Sequence, residues 1–295
     1  MTFACVVNVS EGCNTQTLAR LSDSCGPTLL DRHRDAHHNR SVFTLAGPDE
    51  ILENATRALA RVAVTELDVT AHGGAHPRFG VIDVVPFVPL VRSPTVDPAS
   101  IRLAVEPPLG GAMGARDRFA RWAGEELLVP SFLYGPLGPS THRTLPEVRR
   151  DAFGQLGPDF GPRVPHPSAG AVAVGARHFL VAYNLWVEGG DVALARSVAS
   201  AVRSPAVRAL GFDLGGRAQV SCNLVHPRTI GPLEIYDQVA ALLAAAGAGV
   251  ERCELVGLLP AAVLADVPEH RWAQLALGPE MTLEARMESV GVVAD

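Results

Sequence analysis

The most chemically loaded stretch of this chain is residues 71–83, AHGGAHPRFGVID, where two histidines and an arginine share one turn. Pro77 fixes the backbone after His76 and biases that histidine to an extended conformation. Gly73 and Gly74 let the backbone approach a ligand closely. A histidine held rigidly in a loop is suited to proton transfer near neutral pH, which makes His76 the candidate acid/base group. The spacing of His72 and His76 also fits zinc ligation from one helix face. Gly73, Gly74 and Pro77 oppose a helix there and no further ligands accompany the pair, so no metal is expected. A histidine hydrogen-bonded within its own turn is the plainer alternative; Arg78 and a second polar cluster weaken it.

That second cluster is residues 31–40, DRHRDAHHNR, with three histidines, three arginines, two aspartates and one asparagine. It reads either as a solvated strand-to-strand turn or as an anion pocket, because arginine forks match carboxylates with two parallel hydrogen bonds. Arg40 and Arg78 are the candidate anchors. The segment 8–12, NVSEG, ends a strand and either offers Asn8 to a polar ligand or caps the following helix.

Strand-like and helix-like segments alternate around these clusters. Residues 3–9 read as a strand and 15–22 as a helix; 28–31 and 41–45 read as strands flanking the histidine-rich turn, with a long amphipathic helix opening at Pro48. The apolar run 81–91 is interrupted by Pro86 and Pro89, which argues for an edge or bulged strand. A helix at 116–128 and a strand at 131–134 follow. The Pro/Gly-rich stretch 135–168, with one short helix at 145–150, is the expected crossover. In the second half, 170–174 and 178–185 suggest a hairpin, then a helix (191–203), two strands (209–213 and 218–225), a helix (233–246) and a strand near 251–256. This is an α/β (α+β) pattern: two α/β subdomains, 1–164 and 165–295, each a mixed sheet covered by helices, with a ligand cleft expected between them.

Composition narrows the chemistry. All 25 basic residues of the 295 are arginine, which excludes a Schiff base, a phosphate-loop lysine and a Ser–Lys dyad. A net charge of −6 offers no basic field for nucleic acid. Five cysteines without a C-x-x-C pair read as reduced thiols. No signal-like start and no membrane-length apolar run is present, so a soluble, cytoplasmic protein is expected.

The ordered blocks CVVNVSEG, HNRSVFTLAG, AHGGAHPRFGVIDVVPFVP, ELLVPSFLYG, GPDFGP, GARHFLVAYN, AQVSCNLV and ELVGLLP span Cys5 to about Pro260. Together they resemble the formiminotransferase domain of glutamate formiminotransferases, the HPR-F/M-G-x-x-D and GPDFGP blocks being the specific ones. The resemblance implies transfer of the formimino group of N-formimino-L-glutamate to tetrahydrofolate in histidine catabolism, with tetrahydrofolate as co-substrate and no metal. It implies folate in a cleft between two α/β subdomains, and a homodimer. The family's catalytic histidine precedes Pro-Arg, which is His76 here. Its folate-contacting stretch corresponds to Gly161, Pro162, Arg163, Val164, Pro165, His166, Pro167, Ser168, Ala169 and Gly170, which without the resemblance would read as a linker. No cyclodeaminase segment is recognised, so the product would pass to a separate enzyme.

The chain departs from the family pattern at Gly73 and Ala75, where a charged pair is common, and at His33, where an aspartate is common. Ala169 stands where the family has tryptophan, and 92–114 carries an insertion. These departures lie on the substrate side. A related one-carbon or amidine transfer from another amino-acid donor is therefore an alternative expectation, as is a non-catalytic folate-binding relative; a metallohydrolase ranks last.

Overall fold

The apolar, β-branched opening of the chain forms strand β1 (Thr2–Val9). The computed structural model, which describes residues 1–93 and 102–295, builds a seven-stranded sheet around it. Helix α1 (Thr15–Cys25) starts at Asn14, whose side chain accepts the Gln16 and Thr17 N–H groups, and it buries Leu18 and Leu21. Strands β2 (Leu29–Asp35) and β3 (Arg40–Pro48) form a hairpin with the histidine-rich turn at its tip. Helix α2 (Asp49–Glu66) buries Leu52, Thr56, Leu59 and Ala63, a stripe at helical spacing. Strand β4 (Ile82–Pro89), helix α3 (Gly110–Glu126), strand β5 (Ser131–Pro136), the short strand β6 (His142–Arg143), helix α4 (Leu145–Asp151) and strand β7 (Val172–Ala176) complete the sheet and its cover.

The strand order is β2-β3-β1-β4-β7-β5-β6, with β7 parallel to both neighbours. The proline-bearing strand β4 is bulged rather than at an edge: it is central, between β1 and β7, and its register against β1 shifts between Asn8 and Val9. Its ladder with β1 pairs Phe3–Cys5 with Pro89–Phe87 and resumes at Asn8 with Val84, leaving Val85 and Pro86 without a β1 pair, so the missing proline donor is accommodated inside the sheet. The segments 170–174 and 178–185 are not a hairpin. Strand β7 is buried along its whole length, an Ala/Val/Gly run suited to a central parallel position in the first sheet.

The second sheet is built from β8 (Val181–Glu188), β9 (Val207–Asp213), β10 (Ala218–Leu224) and β11 (Gly249–Val256), in the antiparallel order β11-β8-β10-β9. Helices α5 (Val192–Ala201) and α6 (Pro232–Ala245) add Val198, Ile235, Val239 and Leu243 to the core formed by Tyr183, Leu185 and Val220. Three short helices follow: α7 (Ala261–Leu264), α8 (Glu269–Leu275) and α9 (Leu283–Val290). The chain divides into two compact units: Met1–Arg92 with Pro107–His178 and Ser289–Asp295, and Ser93–Glu106 with Phe179–Glu288. The division falls after His178 because β7 pairs with the first sheet; a boundary at 164/165 would cut that strand away from its partners. Within the 92–114 insertion, residues 94–101 lie outside the described residues.

Candidate active site

Every residue proposed for catalysis or binding lies in the first unit. The geometry there starts from an irregularity in the sheet. Asn8 pairs with Val84 but Val9 pairs with Ile82, so β4 contributes one extra residue at this point, and that residue is Asp83. A bulge re-aims the side chain of its extra residue. Asp83 is fully buried and meets two guanidinium groups, Arg40 through Nη1 and Arg149 through Nη2 at 2.5 Å. Its other oxygen accepts the Phe79 N–H at 2.7 Å. Burial pushes the Asp83 carboxyl up, but Arg40 and Arg149 outweigh it and hold the group below the usual carboxylate range.

Arg40 opens strand β3 and also donates from Nε and Nη2 to Asn8 Oδ1 at 3.2 and 2.9 Å. Asn8 and Arg40, offered separately by the sequence, are brought together here, with Arg40 directed at Asn8 and Asp83. Arg149 reaches the cluster from helix α4, which begins with a capping box between Thr144 and Glu147 and packs through buried Val148. Its neighbour Arg150 faces out and pairs with Asp151.

His76 sits in the turn before β4, partly exposed, with Nδ1 2.6 Å from the carbonyl oxygen of Pro77. A carbonyl has no proton to give, so Nδ1 carries the hydrogen and the neutral ring has its lone pair on Nε2. Burial and the positive charge of Arg40, with a smaller contribution from Arg149, pull the ring down to about 3 against the opposing pull of Asp83 and Pro77. The imidazole is neutral at pH 7 and in the form that accepts a proton. The ring of His38, buried in the histidine-rich turn, meets His76 edge-on with centroids 5.9 Å apart.

Arg78 lies beside His76 but its donors turn inward. It donates to the carbonyls of His72 (3.0 Å), Gly74 (2.8 Å) and His76 (2.9 Å), and Nη1 also meets His72 Nδ1. It organises the turn that carries His76, a role that leaves little of its guanidinium for an anionic ligand. Asn39 ties the turns together, accepting from Gly12 N–H at 2.8 Å and donating to Gly73 O at 2.9 Å.

The stretch aligned with folate contacts splits into two parts. Gly161 packs on the backbone of α3 at Gly124, and Pro162, Arg163, Val164, Pro165, His166 and Pro167 run along the surface or partly exposed. Ser168, Ala169 and Gly170 then dock beside the segment that carries His76: Ser168 O accepts Val69 N–H at 2.7 Å, and Ala169 O accepts Val81 N–H at 3.0 Å. His166 Nδ1 accepts the Ala169 N–H at 2.9 Å and closes this loop. The contact is tight enough that a Cβ on Gly80 would lie 2.2 Å from Ala171 O, and Gly170 has a φ of +72°.

Sequence reasoning missed Asp83 and Arg149 as site residues. Asp83 was legible as the last residue of the HPR-F-G-x-x-D block. Arg149 carried no signal that distinguished it from Arg150. Among the described residues, no group of three or more His, Cys, Asp or Glu could hold a metal ion, and no helix is long and apolar enough to cross a membrane.

The family model "Formiminotransferase domain, N-terminal subdomain" matches residues 2–177, the part of the chain that holds this whole constellation. This chain belongs to the formiminotransferase family. The glutamate formimidoyltransferase of Streptococcus pyogenes serotype M1 is 34% identical over 287 residues, covering 90% of this chain and 91% of that one. The glutamate formimidoyltransferase of Thermoplasma acidophilum is 32% identical over 307 residues, covering 96% of each. The formimidoyltransferase-cyclodeaminase of Gallus gallus is 34% identical over 293 residues, covering 90% of this chain and 51% of its own length. Formiminotransferase similarity thus runs through both units, beyond the 2–177 segment.

Proposed function

We propose that this protein is a glutamate formimidoyltransferase, moving the formimino group of N-formimino-L-glutamate to tetrahydrofolate, with His76 as its acid/base group. Family membership supports the reaction, and one observation carries the residue assignment: a neutral imidazole with Nδ1–H donated to Pro77 O, which leaves Nε2 as the proton acceptor. In the reaction a bond forms between N5 of tetrahydrofolate and the formimino carbon, and the bond from that carbon to the glutamate nitrogen breaks. His76 Nε2 takes the N5 proton as the first bond forms and returns it to the departing nitrogen. The cationic formimino carbon is electrophilic already, so the residues in place need only move protons and anchor carboxylates.

The anchoring proposal is uneven across residues. Arg40 and Asn8 line the polar cluster beside His76, which supports a role near substrate. Ser168, Ala169 and Gly170 abut the catalytic turn and support folate contact better than the surface residues 161–167. Replacing His76 by Ala should lower kcat at least about 100-fold, the scale of a positioned acid/base, while reduced-folate binding persists in calorimetry. Wild-type turnover by that variant would overturn the assignment.

A second reading, with a different amino-acid donor, draws on the His38 ring against His76, which brings the histidine-rich turn to the reacting group. Tetrahydrofolate with formiminoglutamate separates the two, since absence of the 5-formimino product favours the second. The proposal extends to a homodimeric, cytoplasmic enzyme whose product passes to a cyclodeaminase. The five unpaired cysteine thiols, four of them buried, suit a reducing compartment.

A further inference from the structure

The carbonyl oxygen that holds His76 is itself held from a distant part of the chain. Pro77 O accepts the His76 Nδ1–H at 2.6 Å and also an Arg149 Nη1–H at 3.3 Å. The other arm of the same guanidinium, Nη2, is 2.5 Å from Asp83 Oδ2. Asp83 uses its second oxygen to accept the N–H of Phe79, two residues beyond Pro77. The turn after His76 is therefore clamped on both sides, by Arg149 on its carbonyl and by Asp83 on its amide.

We infer that Arg149 is a positioning residue for catalysis, holding the Pro77 carbonyl where it selects the Nδ1–H tautomer of His76 and aims Nε2 at the reacting nitrogen. The inference rests on His76 being the acid/base group and names the element that keeps it so. A neutral imidazole is a base only at the nitrogen without hydrogen, and which one that is depends on the hydrogen bond made by the other. Pro77 O is the acceptor that decides it. Arg78 ties the carbonyls of His72, Gly74 and His76, and the carbonyl of exposed Pro77 is the one that Arg149 holds. Arg149 is suited to the grip because its planar fork binds two acceptors at fixed separation. A lysine ammonium has no such fixed fork. The partner carboxylate is equally committed: Asp83 sits at the sheet bulge and is fully buried, so the guanidinium is anchored to the sheet and not to another loop.

Arg149→Gln and Arg149→Lys test this, with Arg150→Gln as the control, since exposed Arg150 pairs with its neighbour Asp151. The first readout needs no substrate. In protein labelled with 15N-histidine, the His76 signals, assigned by their loss in His76→Gln, should show hydrogen on Nδ1 in the wild type and in Arg150→Gln. They should shift to mixed or Nε2–H character in Arg149→Gln. The second readout is turnover of tetrahydrofolate and formiminoglutamate. Arg149→Gln should lose up to about 100-fold in kcat, the scale of an approximately 1 Å misplacement, with KM changed less than about threefold. Arg149→Lys should recover part of that loss. An unchanged tautomer in Arg149→Gln overturns the inference. So does a raised KM with intact kcat, which would make Arg149 a substrate contact. If Arg149→Gln does not fold, both readouts are taken on Arg149→Lys, where a wild-type tautomer with wild-type kcat is the overturning result. If the wild type turns over no formiminoglutamate, the proposed function fails while the tautomer measurement still decides the role of Arg149.

Discussion

Replacing Asp83 by Asn is the sharpest test of how this site is built, because the change removes a charge and almost no volume. Asn retains an oxygen for the Phe79 N–H, 2.7 Å away in the native chain. It cannot satisfy two guanidinium groups, and Arg40 and Arg149 would face one another without their shared anion in a site where Arg40 is only 13% exposed. Breaking a buried pair by removing one partner costs about 3–5 kcal/mol, most of it from the uncompensated charge left behind. For a unit of this size each kcal/mol moves Tm by roughly 2–4 °C, so the first unit should melt about 6–20 °C lower. Calorimetry on the full chain reads this directly. Removing one of the stranded cations as well should return part of the loss, so Asp83→Asn with Arg149→Gln should be more stable than the sum of the singles predicts. The pH dependence has a definite sign. The Asp83 carboxyl is held below its ordinary value in the folded chain, so its contribution is present above about pH 4, the unfolded carboxyl range, and is lost as pH falls through the folded value. A Tm within 1 °C of wild type for Asp83→Asn, or strict additivity in the double variant, would refute the account of Asp83 as the hub.

The other outcomes follow from the same geometry. His76 is pulled down to about 3, whereas an unfolded histidine titrates near 6.5. Below pH 6.5 the unfolded chain therefore binds a proton that the folded chain refuses, and stability falls as pH drops from 6.5 toward 3. Urea midpoints measured between pH 6.5 and 4 should decline less steeply in His76→Gln; identical slopes would contradict the depressed value. Adding one methyl group at Gly80 places Cβ 2.2 Å from Ala171 O and 2.5 Å from Ala169 O. Gly80→Ala should cost about 1–3 kcal/mol, the scale of overpacking, and weaken reduced-folate binding with it, since the loop 168–170 must shift. Calorimetric unfolding and folate titration measure both, and folate affinity unchanged beside a lowered Tm would separate that loop from the binding site.

Much of this protein could be read from its residues in order. The strand of apolar residues at 3–9 and the helical stripe after Pro48 are local signals, and local signals persist in the folded chain. The rigid turn at His76-Pro77 was legible for the same reason, since proline acts on the residue it follows. An all-arginine basic set excluded lysine chemistry before any fold was known. Non-local pairing could not be read this way. The prolines of β4 argued for an edge or a bulge without deciding between them; pairing with β1 and β7 put the strand in the middle of the sheet, bulged at Asp83. Strand β7 looked like half of a hairpin with β8, and pairing assigned it to β4 and β5. The site divides along the same line. Sequence order singled out His76 as the candidate to move a proton. Only the tertiary structure joined Arg40, Asp83 and a second arginine into one cluster beside it: a one-residue bulge turned Asp83 toward Arg40, and the face of a seven-residue helix chose Arg149 over Arg150. Those choices depend on register and helix phase, which arise from packing between segments distant in the chain: Asp83 lies 43 residues from Arg40 and 66 from Arg149.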